Sequence, residues 1–226
     1  MTIRTRFFLI FLTAVATVIV TPSADAWGCK GHQVVALIAE KYLNPHAREM
    51  AMKILAASPI SPDLRRYCGE SGLDPFADSS TWADDERSVQ PETGPWHYID
   101  IPLGISSGKP SAYCPPKTGC VTAAIAAQLA VLRNPSATAE NRADALRFVI
   151  HLIGDLHQPL HTTTNNDLGG NCVPVAFEGH DPEEMNAQWG TYRPNLHAVW
   201  DTGLIDQFWR RDTPQEIADR LEKKFR

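Results

Sequence analysis

The chain has 226 residues, 43% of them hydrophobic, and carries 21 Lys+Arg against 26 Asp+Glu for a formal charge of −5 at pH 7. A chain of this size buries a substantial core as one domain, and two are not expected. The acidic balance excludes a protein that holds polyanions on a basic surface, so positive charge for any phosphate would have to come from bound divalent cations.

Residues 1–26 read as a secretory signal, with Arg4 and Arg6 in a basic start, an apolar run over 7–20, and the small-residue exit Ala24-Asp25-Ala26. The run is short for a membrane span of about 20 residues and no later stretch is long enough, so residues 27–226 are expected as an exported protein, secreted or periplasmic. An uncleaved anchor is the competing reading of the segment. Cleavage after Ala26 makes Trp27 the first residue, with an α-amine that titrates near ~8 and gives up its proton readily to a metal. Beside Gly31 and His32, such a terminus can chelate through its amine and carbonyl.

Val34, Val35, Leu37, Ile38, Tyr42 and Leu43 recur at helical spacing, and Asn44-Pro45 gives a stop followed by the cap of a second helix running to about Ala57. Over 59–119, prolines, glycines and aspartates leave little periodicity, so a long ordered loop is expected, with short extended pieces across 96–101. Helices are predicted over 121–133 and 140–156, the second with Leu146, Val149, Ile150, Ile153 and Leu156 on one side. A further helix covers 195–209, and Thr213-Pro214-Gln215-Glu216 is a capping box that opens the last one. The fold class is all-α, a single-domain helical bundle with long loops, and nothing points to a stable protein partner, so a monomer is expected.

Five cysteines in an exported chain imply disulfides and leave at least one without an intramolecular partner. Cys114 and Cys120 are the expected pair, closing a short loop worth about 2 kcal/mol in chain entropy. Their spacing is long for a zinc knuckle. Cys29, Cys68 and Cys172 cannot be paired from sequence.

His151 and Asp155 stand four apart on a strong helix, which sets an imidazole and a carboxylate on one face a turn apart, and His197 and Asp201 repeat the spacing. Either pair alone is more often a surface ion pair. Two together are how helical bundles build metal sites. His161 follows Gln158-Pro159-Leu160, where proline ends the helix and turns the chain back. His32, Asp84 and His97 supply further nitrogen and oxygen donors, whereas His46, His157 and His180 are taken as structural or exposed. Histidine and carboxylate without thiolate suit zinc, and a set this large implies more than one ion.

The motifs W-G-C-K-G-H (27–32), W-A-D-D-E-R (82–87), W-H-Y-I-D (96–100), H-L-I-G-D-L-H-Q-P-L-H (151–161), G-G-N (169–171) and H-A-V-W-D (197–201) resemble, in order and spacing, the zinc-dependent single-strand nucleases of the S-one/P-one or mung-bean type. That resemblance implies a phospholipase C / P-one nuclease-like fold and three Zn2+ per chain. Asp84, His97, His151 and Asp155 would hold one ion; Trp27 through its backbone, His32 and the bridging Asp155 a second; His161, His197 and Asp201 a third. Zinc ions sharing Asp155 would activate water for attack on phosphorus, and Arg87 sits where the family places a transition-state arginine. Tyr98 matches a base-stacking aromatic, Asp100 a carboxylate that bonds a base edge, and Asn171 a polar group of the nucleotide loop. The implied reaction is hydrolysis of RNA and single-stranded DNA to 5′-mononucleotides, with 3′-nucleotidase activity as relatives show.

Two departures stand out. The sequence stops at Arg226 within an amphipathic helix where relatives continue, and Cys68 is expected to have lost a partner in that absent tail. The rivals are a zinc-dependent phospholipase C, disfavoured by the close spacing of Trp27 and His32, by Asp201 in place of glutamate and by the Tyr98/Asp100 base site, and a truncated zinc-binding protein without activity. No N-x-[ST] acceptor is present, which favours a bacterial periplasmic setting.

Overall fold

One helix, α6 (Ala139–Leu156), organises the chain, since every element that carries a candidate ligand packs on it or on its C-terminal extension. The computed structural model describes residues 27–64, 68, 75–188 and 190–225, so the signal reading over 1–26 lies outside the described residues. Before α6 come α1 (Cys29–Lys41), α2 (Pro45–Ala56), the short α3 (Pro75–Ser79) and α4 (Trp82–Glu86), and α5 (Val121–Arg133); after it come α7 (Leu196–Ala198), α8 (Leu204–Phe208) and α9 (Pro214–Phe225). Three-residue-per-turn segments at Pro91–His97 and Pro159–His161 bring two further histidines in. The strands β1 (Ile101–Pro102) and β2 (Thr163–Thr164) pair in parallel, Ile101 opposite Thr163. The architecture is therefore the expected helical one.

The helix boundaries follow the local chemistry. Asn44 accepts the Ala47 N–H at 2.8 Å and Pro45 occupies the first turn of α2, while Thr138 accepts the Asn141 N–H at 3.1 Å to open α6. The capping box at α9 is formed reciprocally: the Thr213 N–H donates to Glu216 Oε2 at 2.8 Å and the Glu216 N–H to Thr213 Oγ1 at 3.3 Å. Residues 195–209 are helical to Phe208, but a π turn at Val199–Gly203 widens the middle and carries Asp201.

Three apolar clusters lock these elements. Trp82, Ile99, Val121, Phe148 and Leu152 join α4 and α5 to α6; Val34, Leu37, Ala77 and Ile217 join α1, α3 and α9; Ala36, Ala51, Leu55 and Phe76 close the side of α2. The stripe expected on α6 does not mark its buried face: Leu146, Val149, Ile150 and Leu156 are only half-buried. Ile153 is 37% exposed, while Ala145, Phe148, Leu152 and the His151/Asp155 face are buried. A helix packed on several sides has no single apolar stripe to read.

The region 59–119 departs furthest from expectation. It holds α3 and α4, too short to show a period and stabilised by packing, not propensity. The extended piece expected across 96–101 begins only at Tyr98, because Trp96 and His97 finish the turn Pro91–His97.

Two disulfides are present. Cys114 pairs with Cys120, as expected, and Cys29 pairs with Cys68. The expectation that Cys68 lost its partner is thus wrong: the start of α1 supplies it, and Cys172 is the free cysteine. Among the described residues no helix is long and apolar enough to cross a membrane.

Candidate metal centre

Helix α6 presents His151 and Asp155 from one buried face, and neither is solvent-exposed. Asp155 lies at the centre of three imidazoles: His32 Nε2 is 3.3 Å from Oδ1, His97 Nδ1 is 3.1 Å from Oδ2, and His151 Nε2 is 3.2 Å from Oδ2. Asp84 Oδ1 approaches the same nitrogens, 3.7 Å from His97 Nδ1 and 3.8 Å from His151 Nε2. The helix bearing Asp84 is fixed by Trp82 in the core, with the buried Arg147 guanidinium 5.5 Å from its ring centroid. The His32 ring stacks on that of His151 with centroids 3.9 Å apart. Glycine at 154 gives this stack its room, since a Cβ there would stand 3.0 Å from His32 Nδ1 and push the ring aside.

A second assembly forms beyond the end of α6. His161 Nε2 and His197 Nε2 are 3.1 Å apart, His197 Nε2 is 3.1 Å from Asp201 Oδ2, and His161 Nε2 is 3.7 Å from Asp201 Oδ1. Asp201 is tied to the N-terminal segment by the Gly28 N–H, which donates to its carbonyl at 2.8 Å. Trp27 lies against the first assembly, its indole N–H donating to the Gly154 carbonyl at 3.0 Å.

The donor set fits cations. His161 Nδ1 faces the His97 carbonyl at 2.8 Å and His197 Nδ1 faces the Gly169 carbonyl at 2.7 Å. Each carbonyl requires the proton on Nδ1, so in the neutral rings two Nε2 lone pairs point at one another, an arrangement a positive ion resolves. His151 repeats the device, with Nδ1 facing the Ser80 carbonyl at 2.7 Å. His32 Nε2, Asp84 Oδ1 and both Asp155 oxygens are buried without a well-formed hydrogen bond. Three groups can each hold an ion: His32, His151 and Asp155; Asp84, His97 and His151; and His161, His197 and Asp201. All eight side chains expected as ligands are thus gathered, with Trp27 beside them.

The electrostatics carry the same demand for positive charge. Burial opposes protonation of His151, but Asp155 and Asp84 outweigh it and push its pKa up to about 9. Burial and then His151 hold His32 down, and burial holds His97 down despite Asp155. Asp155 lies well below the usual carboxylate range, since His151 and its other imidazole neighbours overcome the cost of burial.

The remaining expected residues line the periphery. Arg87 Nη2 is 3.5 Å from Asp84 Oδ1, its side chain 17% exposed. Tyr98 is 43% exposed, directly after His97. Asp100 is largely exposed, and the partial desolvation of its carboxyl, together with the nearby Asp167 charge, pushes its pKa up. Asn171 Nδ2 donates to the Leu168 carbonyl at 2.9 Å in the loop whose Gly169 carbonyl holds His197. His46, His157 and His180 are exposed, as expected. Residues not singled out from sequence include Gly154 and Asp167, and the G-G-N motif does not by itself show the backbone role of Gly169. Gly169 takes φ +60 with its Cα so close to Leu160 that a Cβ would stand 2.5 Å from the Leu160 carbonyl oxygen, and Asp167 Oδ1 accepts the Gly170 N–H at 3.1 Å. A G-G pair beginning two residues after an aspartate is the signal of such a turn.

Fold and site together define a class, an α-helical protein with a buried cluster of histidines and carboxylates suited to metal ions at the end of its main helix. Residues 27–226 match the family described as S1/P1 Nuclease, and the chain belongs to that family. It is 32% identical to "Nuclease P1" of Penicillium citrinum over 206 residues, 84% of this chain and 67% of that protein. It is 30% identical to "Endonuclease 2" of Arabidopsis thaliana, covering 82% of this chain and 58% of the relative, and 27% identical to "Nuclease S1" of Aspergillus oryzae (strain ATCC 42149 / RIB 40), covering 85% and 59%. The chain thus spans about three-fifths to two-thirds of the length of these relatives.

Proposed function

We propose that the protein is a zinc-dependent phosphodiesterase that hydrolyses RNA and single-stranded DNA to 5′-mononucleotides, with 3′-nucleotidase activity at the same centre. The observation that carries this reading is the pair of facing imidazole nitrogens, His161 and His197, set beside the three imidazoles around Asp155. In this reading Asp84, His97, His151 and Asp155 hold one zinc, the Trp27 amine and carbonyl with His32 and Asp155 a second, and His161, His197 and Asp201 a third. When bound, the ions supply Lewis-acid activation of water and neutralisation of phosphoryl oxygens.

The chain's own residues do the rest. Asp155, buried and far below its ordinary pKa, stays ionised and is the shared anion of the centre. Arg87 offers a forked donor to the charge that develops on the phosphoryl oxygens. Tyr98, part exposed, offers a ring face on which an unpaired base stacks for ~1–3 kcal/mol. Asp100, its carboxylate made more basic by burial and Asp167, accepts from a base edge, and Asn171 completes the loop beside it. A stacking site needs a base out of its duplex, which gives the single-strand preference. The product of signal cleavage after Ala26 is secreted or periplasmic, a setting in which the Cys29–Cys68 and Cys114–Cys120 bridges persist.

The test is hydrolysis of RNA, single-stranded DNA and phosphatidylcholine by the protein beginning at Trp27, with metal measured on the same sample. Release of 5′-mononucleotides by protein holding about three zinc is the expected result. Cleavage of lipid alone would assign a phospholipase, and full metal content with no turnover a noncatalytic zinc protein.

A further inference from the structure

Gln158 is fully buried, uncharged and outside every ligand group, yet it is bonded to three candidate ligands at once. Its backbone N–H donates to the Asp155 carbonyl at 2.9 Å, and its carbonyl accepts the His161 N–H at 3.0 Å. Its side chain reaches the third: Nε2 donates to Asp201 Oδ1 at 2.5 Å, while Oε1 accepts the Leu160 N–H at 2.6 Å. The second of these side-chain bonds fixes the first. A backbone N–H can only donate, so the amide oxygen must face Leu160, and the NH2 end is thereby turned onto the carboxylate.

We propose that Gln158 is the positioning residue of the His161–His197–Asp201 group. It holds Asp201 by Oδ1 and leaves Oδ2, 3.1 Å from His197 Nε2, to face the ion. The inference rests on the reading of that group as a metal site. A neutral donor suits the task. Lysine here would bring a positive charge that competes with the ion for the carboxylate, and glutamate would set an acceptor against an acceptor. The amide satisfies one oxygen without neutralising the group, and its place as the cap of the tight turn Pro159–His161 sets Asp201 and His161 in one frame. Outer hydrogen bonds of this kind orient ligands and tune affinity.

The test compares metal-stripped wild type, Gln158→Glu, Gln158→Met and Asp201→Ala by stepwise zinc titration against a competing chelator, with circular dichroism to establish folding. Asp201→Ala should lose one zinc equivalent, which identifies the ion of this group. In both Gln158 variants that same equivalent should weaken by ~10–100-fold while the others bind as in wild type, and lost turnover should return as zinc is raised. Wild-type affinity for that equivalent in folded Gln158→Glu would overturn the proposal; this isosteric variant decides the matter if Gln158→Met does not fold. Retention of every equivalent by Asp201→Ala would overturn the metal reading of the group itself, and the role of Gln158 with it.

Discussion

The indole N–H of Trp27 donates to the carbonyl of Gly154 at 3.0 Å, one residue before the central carboxylate Asp155. The bond pins Trp27 to the end of α6, with the Gly28 N–H bonded to the Asp201 carbonyl as a second anchor. If cleavage after Ala26 frees the Trp27 α-amine, as proposed, that amine becomes a ligand the centre can use. Protein carrying one extra residue before Trp27 should bind one zinc equivalent more weakly and lose most of its nuclease rate, with the fold intact by circular dichroism. Equal metal content and rate in the two forms would remove the terminus from the centre.

The two disulfides should differ in weight. Cys29–Cys68 closes a separation of 39 residues and Cys114–Cys120 one of 6, so chain entropy assigns them about 4 and about 2 kcal/mol. Urea midpoints of Cys29→Ser and Cys114→Ser, each with its partner also changed to serine, should therefore fall further for the first pair. Cys29 opens the helix that carries His32, so the first pair should also lower metal affinity, whereas the second should not.

How much of this was legible beforehand depends on where the information sits. The i, i+4 pairs His151/Asp155 and His197/Asp201 are local, and the structure buries both as expected. The caps at Asn44 and Thr213 are likewise local and form as read. Asp84 was recognisable as a donor by its motif, but α4 was not readable as a helix, since five residues held by tertiary packing carry no period. The Cys29–Cys68 bridge depends on a loop path that no spacing encodes. Gln158 was read only as a step before a proline, because its role depends on a carboxylate 43 residues away.

In metal-stripped protein, stability should pass through a maximum near pH 6.5. Burial opposes the charge on His151 but Asp155 and Asp84 raise its pKa from 6.5 to about 9, so its contribution is complete below about pH 6.5 and is lost as pH rises toward 9. His32 and His97 are shifted downward by burial, so theirs is present above about 6.5 and lost as pH falls. Asp155, lowered below 3.8 chiefly by His151 against the cost of burial, adds a further loss in stronger acid. Zinc should abolish the alkaline decline, because the ion takes the place of the proton on His151. Thermal melts between pH 4 and 9, with and without zinc, check both limbs; a metal-free melting temperature that keeps rising to pH 9 would contradict the assignment for His151.

Arg87 should separate chemistry from metal binding. Its guanidinium reaches Asp84 Oδ1 at 3.5 Å, and its stem lies against Gly94, where a Cβ would be 3.6 Å from the arginine Cδ. If its task is to meet charge on the phosphoryl group, Arg87→Lys keeps the positive charge but loses the planar fork, and kcat on a dinucleotide should fall by about 10²-fold with zinc content and KM close to wild type. If its task is to hold Asp84, both Arg87→Lys and Arg87→Ala should instead shed metal, the alanine variant more, and excess zinc should restore the rate. The measured pair, kcat and zinc per chain, distinguishes the two because a donor to the transition state leaves the resting metal centre unchanged.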